Sequence, residues 1–233
     1  WTCLCEKVVE AHAARLVPSK TGRVGQTWRV TPSGLIGALA TALSMMFIWP
    51  QVFRIYRNKT VEGLAPLGAL QGMSGSILWA MYGLSKGDLP LFGSNTLVAT
   101  AVGLICLAMT NHGVVARKVL FTVVVCVIGV GFVAAAISPT LVGAIAFVVG
   151  ALSIVPQTLK VLRDPNLYSV SVSSNALLFL TSSAWLAYGL MIGDALVATP
   201  NFLVIPCSAV IVQRAHASQR RVVGLEDSLA NVG

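Results

Sequence analysis

Trp79-Ala80-Met81-Tyr82-Gly83-Leu84-Ser85-Lys86-Gly87-Asp88 is answered 106 residues later by Trp185-Leu186-Ala187-Tyr188-Gly189-Leu190-Met191-Ile192-Gly193-Asp194. The same offset carries Pro50-Gln51 onto Pro156-Gln157 and Asn95 onto Asn201. Nothing is inserted or lost between these markers. An apolar chain holding two copies of one unit predicts a membrane transporter with its site between the copies.

Composition narrows the class. The chain has 233 residues, of which 56% are hydrophobic and 10% charged. Ordinary soluble domains carry about 25% charged residues. An apolar core of this size in water would need a charged shell that the sequence lacks, so a polytopic membrane protein is expected. The net charge of +8 does not point to nucleic acid, because Lys and Arg gather at the ends of apolar runs, where lipid head groups and topology use them. Cys106, Cys126 and Cys207 fall within apolar runs and read as packing residues. Cys3-x-Cys5 offers at most a weak metal or redox role. No metal and no cofactor are expected.

Seven runs of about 20 residues follow: 33–56, 65–84, 91–110, 117–137, 139–162, 171–192 and 195–213. Each is long enough to cross about 30 Å of hydrocarbon as a helix. The dyad alternation of a spanning barrel is missing. The fold class is therefore all-α, with seven transmembrane helices. Two parallel triple-helix bundles, 33–112 and 139–213, are joined by a linker helix within 113–138. Three helices reverse the chain and a fourth restores its direction, so the copies share one orientation. Residues 1–32 read as a polar basic tail, disordered or a mis-assigned start, and 214–233 as a cytoplasmic tail.

The loops after helices 1, 3 and 5 and the C-terminal tail hold most of the basic residues, among them Arg54, Arg117, Lys160 and Arg214. The opposite loops hold only Lys86. This bias predicts a cytoplasmic C-terminus and an outside N-terminus in a cell membrane. The basic N-terminal stretch opposes it.

Three constellations recur. Pro50-Gln51 and Pro156-Gln157 lie inside the first helix of each copy, where proline removes a donor and clashes with the preceding turn. They predict a hinge on the cytoplasmic side, with a static kink as the alternative. Trp79 with Asn95, and Trp185 with Asn201, should lie at matching depth on either side of an outer turn. Two indole faces and two amides suit a neutral polyhydroxylated ligand, since no carboxylate or cation joins them. Singly, they would read as an aromatic belt and helix-bridging amides. Tyr82, Lys86 and Asp88, with Tyr188 and Asp194, predict an outer gate; a solvated turn with a capping Asp is the alternative. Ile192 stands opposite Lys86, so the gate is asymmetric. Gly68 and Gly72 form a GxxxG read as a close helix contact, and Gly129 and Gly131 are read likewise. His12, His112 and His216 show no ligand spacing.

Absences also count. No phosphate-binding loop and no nucleophile–base set is present, so neither an ATP-driven pump nor an enzyme is expected. Glu62, Asp88, Asp164 and Asp194 sit at loops or helix ends, which argues against a proton relay and for facilitated diffusion.

At these residues the chain resembles the SWEET and SemiSWEET sugar transporters of the PQ-loop (MtN3-like) superfamily. The likeness runs over roughly 33–213. It is carried by Pro50-Gln51, Trp79, Tyr82-Gly83, Asp88 and Asn95, and by Pro156-Gln157 through Asn201. SWEETs are a known case of the parallel repeat. The retained Pro-Gln pairs look bacterial, in a form with both repeats on one chain. The resemblance implies a 3+1+3 arrangement, a sugar site lined by Trp79, Asn95, Trp185 and Asn201, an outer gate with Tyr82, Lys86 and Asp88, and alternating access without ion coupling. Pro66 faces Val172 across the repeat, which puts a four-proline inner ring in doubt. The expected partners are a mono- or disaccharide and the lipid bilayer, with homo-oligomers possible and no nucleic acid. A PQ-loop transporter of amino acids or related zwitterions, and a non-transporting receptor on the same bundle, are the alternatives.

Overall fold

The computed structural model describes residues 31–230, apart from 63, 152–153, 164–166 and 168–169, and without the side chains of 151, 156–157 and 221–230. The tail expected over 1–32 therefore lies almost wholly outside the described residues. The eight described helices are α1 (Pro32–Asn58), α2 (Pro66–Lys86), α3 (Leu89–Asn111), α4 (Arg117–Ile137), α5 (Pro139–Ala151), α6 (Ile154–Arg163), α7 (Val172–Ile192) and α8 (Ala195–Ala230). Among the described residues there is no strand.

Among the described residues five helices are long and apolar enough to cross a membrane: α1, α3, α4, α7 and the Ala195–Arg220 part of α8. The protein is a multi-pass membrane protein. The run expected at 65–84 is helical as α2, but Gln71, Ser74, Ser76 and Tyr82 dilute its apolar character. Ser74, Ser76 and Tyr82 are buried, so its polar groups face other helices instead of lipid. The run expected at 139–162 is described as α5 and α6, with 152–153 between them outside the described residues. The run expected to end at 213 instead continues as helix to Ala230. Polar side chains on that extension grip the end of α6 and the loop before α7. Gln219 Nε2 donates to Val170 O at 3.0 Å, Ser218 Oγ accepts from Leu167 N at 3.3 Å, and Arg214 Nη2 donates to Leu162 O at 3.4 Å.

The turns are built from sequence. Gly87 and Gly193 take the left-handed conformation at φ 68° and 69°, closing α2 and α7; only glycine adopts it without strain. The next residue, Asp88 or Asp194, caps the following helix by accepting Leu91 N at 2.9 Å, or Leu196 N at 3.0 Å and Val197 N at 3.3 Å. Between α4 and α5 a single residue, Ser138, turns the chain. Pro139 holds it extended, and its hydroxyl accepts Thr140 N at 3.1 Å.

Packing repeats as the sequence does. In each copy the third helix lies against the other two: α3 against α1 and α2, and α8 against α5, α6 and α7. Across the copies the contact is reciprocal, α1 on α7 and α5 on α2. Helix α4 packs mainly on α2 and α5. Only 11% of its most apolar stretch is buried, which leaves Phe121, Val125 and Phe132 for lipid. One core cluster is shared by the two copies and contains Tyr82, Leu91, Val142, Tyr188 and Val197. It lies beside the outer turns.

The glycine contacts depart from the sequence reading. A Cβ at Gly72 would meet nothing within 4 Å, and one at Gly68 only Ala65 Cβ at 3.7 Å. Among the described residues the GxxxG of α2 therefore makes no close helix contact. The close approach is made one turn on, by Gly75 against Gly150 Cα at 3.5 Å. In α4, Gly131 accommodates the Met81 sulfur, whereas Gly129 faces open space.

Candidate functional site

The outer ends of α2 and α7 present one tyrosine each, and each reaches the other copy. Tyr82 Oη donates to Asp194 Oδ2 at 2.6 Å, and Tyr188 Oη donates to Asp88 Oδ1 at 2.8 Å. Lys86 Nζ stands 3.9 Å from Asp194 Oδ2. Lys86 thus pairs with the aspartate of the other copy and not with its neighbour Asp88. All five residues expected at the outer gate come together, and the pairing is crosswise.

Two glycines make this geometry possible. A Cβ at Gly37 would stand 2.9 Å from Tyr188 Cε2, and one at Gly143 3.0 Å from Tyr82 Cε2. Each tyrosine ring lies on a glycine of the opposite copy's first helix. Gly83 and Gly189 serve in parallel, letting the backbone of Phe92 and of Ala198 come within 2.6 Å and 2.7 Å of where a Cβ would be. Gly37 and Gly143 obey the 106-residue offset, so the repeat itself holds the signal for them.

Below the gate, Trp79 and Trp185 meet their own copy's tyrosine edge-on. Ring centroids are 5.7 Å apart for Trp79–Tyr82 and 5.5 Å for Trp185–Tyr188. Both indoles, with Asn95, Asn201, Leu91, Val197 and Pro200, line one cavity of about 130 Å³. The four residues singled out in the sequence therefore share one space. Each Asn donates Nδ2 to the carbonyl one turn back, Asn95 to Leu91 O at 3.0 Å and Asn201 to Val197 O at 2.8 Å. That bond fixes each amide and leaves it one oxygen acceptor and one N–H donor for hydroxyls.

A hollow of about 560 Å³ opens between α1 and α7, lined by Pro50, Gln51, Arg54, Ser171, Ser173 and Ser174 among others. Pro50 lies inside the unbroken helix α1, and Gln51 makes no hydrogen bond among the described residues. The side chains of Pro156 and Gln157 lie outside the described residues, so the second half of the hinge pair is placed only by the course of α6. On the other side of the tyrosine–aspartate pairs a second hollow, of about 710 Å³, contains Lys86, Pro90, Thr140 and Ile192. Among the described residues no group of three or more His, Cys, Asp or Glu is placed to hold a metal ion.

Known proteins resemble this chain in sequence and fold. The family model described as the PQ loop repeat matches residues 32–92. The bidirectional sugar transporters SWEET13 and SWEET12 of Oryza sativa subsp. japonica are 25% and 24% identical, over 73% of this chain. The chain spans 62% of the length of each. The sugar transporter SemiSWEET of Leptospira biflexa is 30% identical over 79 residues, 34% of this chain and 93% of that protein. A eukaryotic SWEET transporter solved at 3.7 Å resolution superposes with a TM-score of 0.66 at 16% identity, covering 82% of this chain and all of that one. At that identity the superposition speaks for the fold alone.

Proposed function

The chain belongs to the SWEET and SemiSWEET family of PQ-loop proteins, and from that premise we propose that it carries a small sugar, a mono- or disaccharide, across a membrane. The observation that carries this reading is the shared cavity of Trp79, Asn95, Trp185 and Asn201. Flat indole faces suit the C–H face of a sugar ring, and the amide oxygens suit its hydroxyls. The names of the rice and Leptospira relatives support the same substrate class. Those relatives are transporters, in keeping with a protein that is not an enzyme.

In the full proposal, seven spans form two parallel triple-helix bundles joined by α4. The unit made of α5 and α6 acts as the fifth span. The C-terminus lies in the cytoplasm, where Lys and Arg are concentrated. The bundles rock about the midplane cavity. Tyr82–Asp194 and Tyr188–Asp88 close the outer side while the hollow beside Pro50 gives the inner exit. Transport is uncoupled to ions, because the cavity lining contains no ionisable side chain. The test is uptake of labelled mono- and disaccharides into liposomes with and without a proton gradient. Saturable uptake of at least one sugar, unchanged by the gradient, is expected. Uptake that follows the gradient would overturn the uncoupled mechanism, and zwitterion uptake without sugar uptake would overturn the substrate class.

A further inference from the structure

The two indoles of the cavity are held differently. Trp185 Nε1 donates to Ser44 Oγ at 3.2 Å, and Ser44 passes its own proton to Ala40 O at 2.8 Å. This chain of two bonds is complete and buried at Ser44, so the Trp185 N–H is committed to the protein. The repeat offset places Gly150 opposite Ser44. Trp79 Nε1 lies over Gly150, 3.4 Å from where a Cβ would be, but glycine has no hydroxyl to offer. Among the described residues Trp79 Nε1 has no hydrogen-bond partner, although the ring lines the same cavity.

We infer that the transported sugar is bound in a preferred orientation, because of the two indoles only that of Trp79 has an N–H to donate to a sugar oxygen, while Ser44 fixes Trp185 as a stacking face; the amides of Asn95 and Asn201, each with one N–H tied to its own helix, are alike in the two halves. Gly150 and Ser44 are positioning residues that act through the two tryptophans. The inference rests on the sugar-transport reading and adds which half of the site supplies the directional donor. An indole N–H offered to a hydroxyl oxygen specifies angle as well as distance, whereas a ring face tolerates rotation of the sugar.

The experiment uses labelled glucose and sucrose uptake by the full chain in liposomes, with folding checked by thermal unfolding in detergent. Trp79→Phe keeps an aromatic ring and removes the donor. It should raise KM about five- to tenfold, the worth of one hydrogen bond, and should exceed the effect of Trp185→Phe. Gly150→Ser gives Trp79 the acceptor that Trp185 already has and should raise KM to a similar extent. Gly150→Ala adds the carbon without the oxygen and should raise it by less. Combined with Trp79→Phe, Gly150→Ser should add nothing. Equal KM changes for Trp79→Phe and Trp185→Phe, or for Gly150→Ala and Gly150→Ser, would overturn the inference while leaving sugar transport intact. No uptake of either sugar by the unaltered chain would instead overturn the transport reading for these substrates, and the inference with it.

Discussion

The two copies differ little at their outer ends and much further in. Outside, Gly37 and Gly143, Tyr82 and Tyr188, Gly83 and Gly189, Gly87 and Gly193, and Asp88 and Asp194 all repeat, and their contacts repeat to within a few tenths of an ångström. At cavity depth, Ser44 is answered by Gly150 and Ser94 by Pro200. At the far end of the helices, Gln71, which donates to Val149 O at 2.9 Å, is answered by Leu177, and among the described residues only the second copy has a long helical extension. The lesson is about crosswise contact. Crossing alone does not keep the halves alike, since Trp185–Ser44 and Gln71–Val149 also cross between the copies; likeness is kept where the same bond is made in both directions, Tyr82 to Asp194 and Tyr188 to Asp88. Where contacts are made against non-equivalent groups, the halves are free to diverge.

Substitutions made in both copies test that comparison. The largest effect is expected at the cavity: Trp79→Ala with Asn95→Ala, and Trp185→Ala with Asn201→Ala. Each pair removes an aromatic face and an amide, roughly 2–3 kcal/mol together, or about thirty- to hundredfold in KM for sugar uptake. Full activity in either pair would sink the site assignment. Next come Gly83→Ala and Gly189→Ala. Both force a Cβ against neighbouring backbone, and each should cost roughly 1–3 kcal/mol in thermal unfolding. Unequal costs would break the proposed equivalence of the outer ends.

Smaller still, Tyr82→Phe and Tyr188→Phe each remove one hydroxyl from the mouth. With a reporter thiol at Leu91→Cys, labelling from outside should quicken about tenfold in each, the population shift given by one charge-assisted bond of roughly 1.5 kcal/mol. An unchanged rate would show that these bonds do not hold the mouth closed. The smallest change is expected for Lys86→Ile. Its ion pair is exposed on the lysine side and is worth about 0–1 kcal/mol. The same labelling assay should therefore move less than fivefold.

Much of the placement is legible in the sequence because the same residues are written twice. The duplicated Trp, Asn, Tyr and Asp pointed to one cavity and one mouth, and the structure brings each set together. The crosswise direction of the tyrosine bonds was not legible. Lys86-x-Asp88 suggests a local pair, and only the packing of α1 on α7 and α5 on α2 shows that each tyrosine crosses over. Gly68-x-x-x-Gly72 misled because spacing alone cannot say which face of α2 meets a neighbour; Gly75 is on that face. The end of α8 was misjudged because hydropathy falls after residue 213. The helix continues there on polar contacts with the preceding loop, and hydropathy does not register them.

Each outer aspartate caps a helix and receives a tyrosine; Asp88 does both through Oδ1, whereas Asp194 divides the two duties between its oxygens. Asp194 holds the start of α8 through Oδ1 and receives Tyr82 through Oδ2. Letting the tyrosine go leaves the helix end still tied. In the proposed gate the mouth therefore behaves like a bolt leaving a fixed strike plate. The opening step that this proposal requires is a side-chain movement that unravels no turn of helix, and it belongs to a faster class of motion than local unfolding.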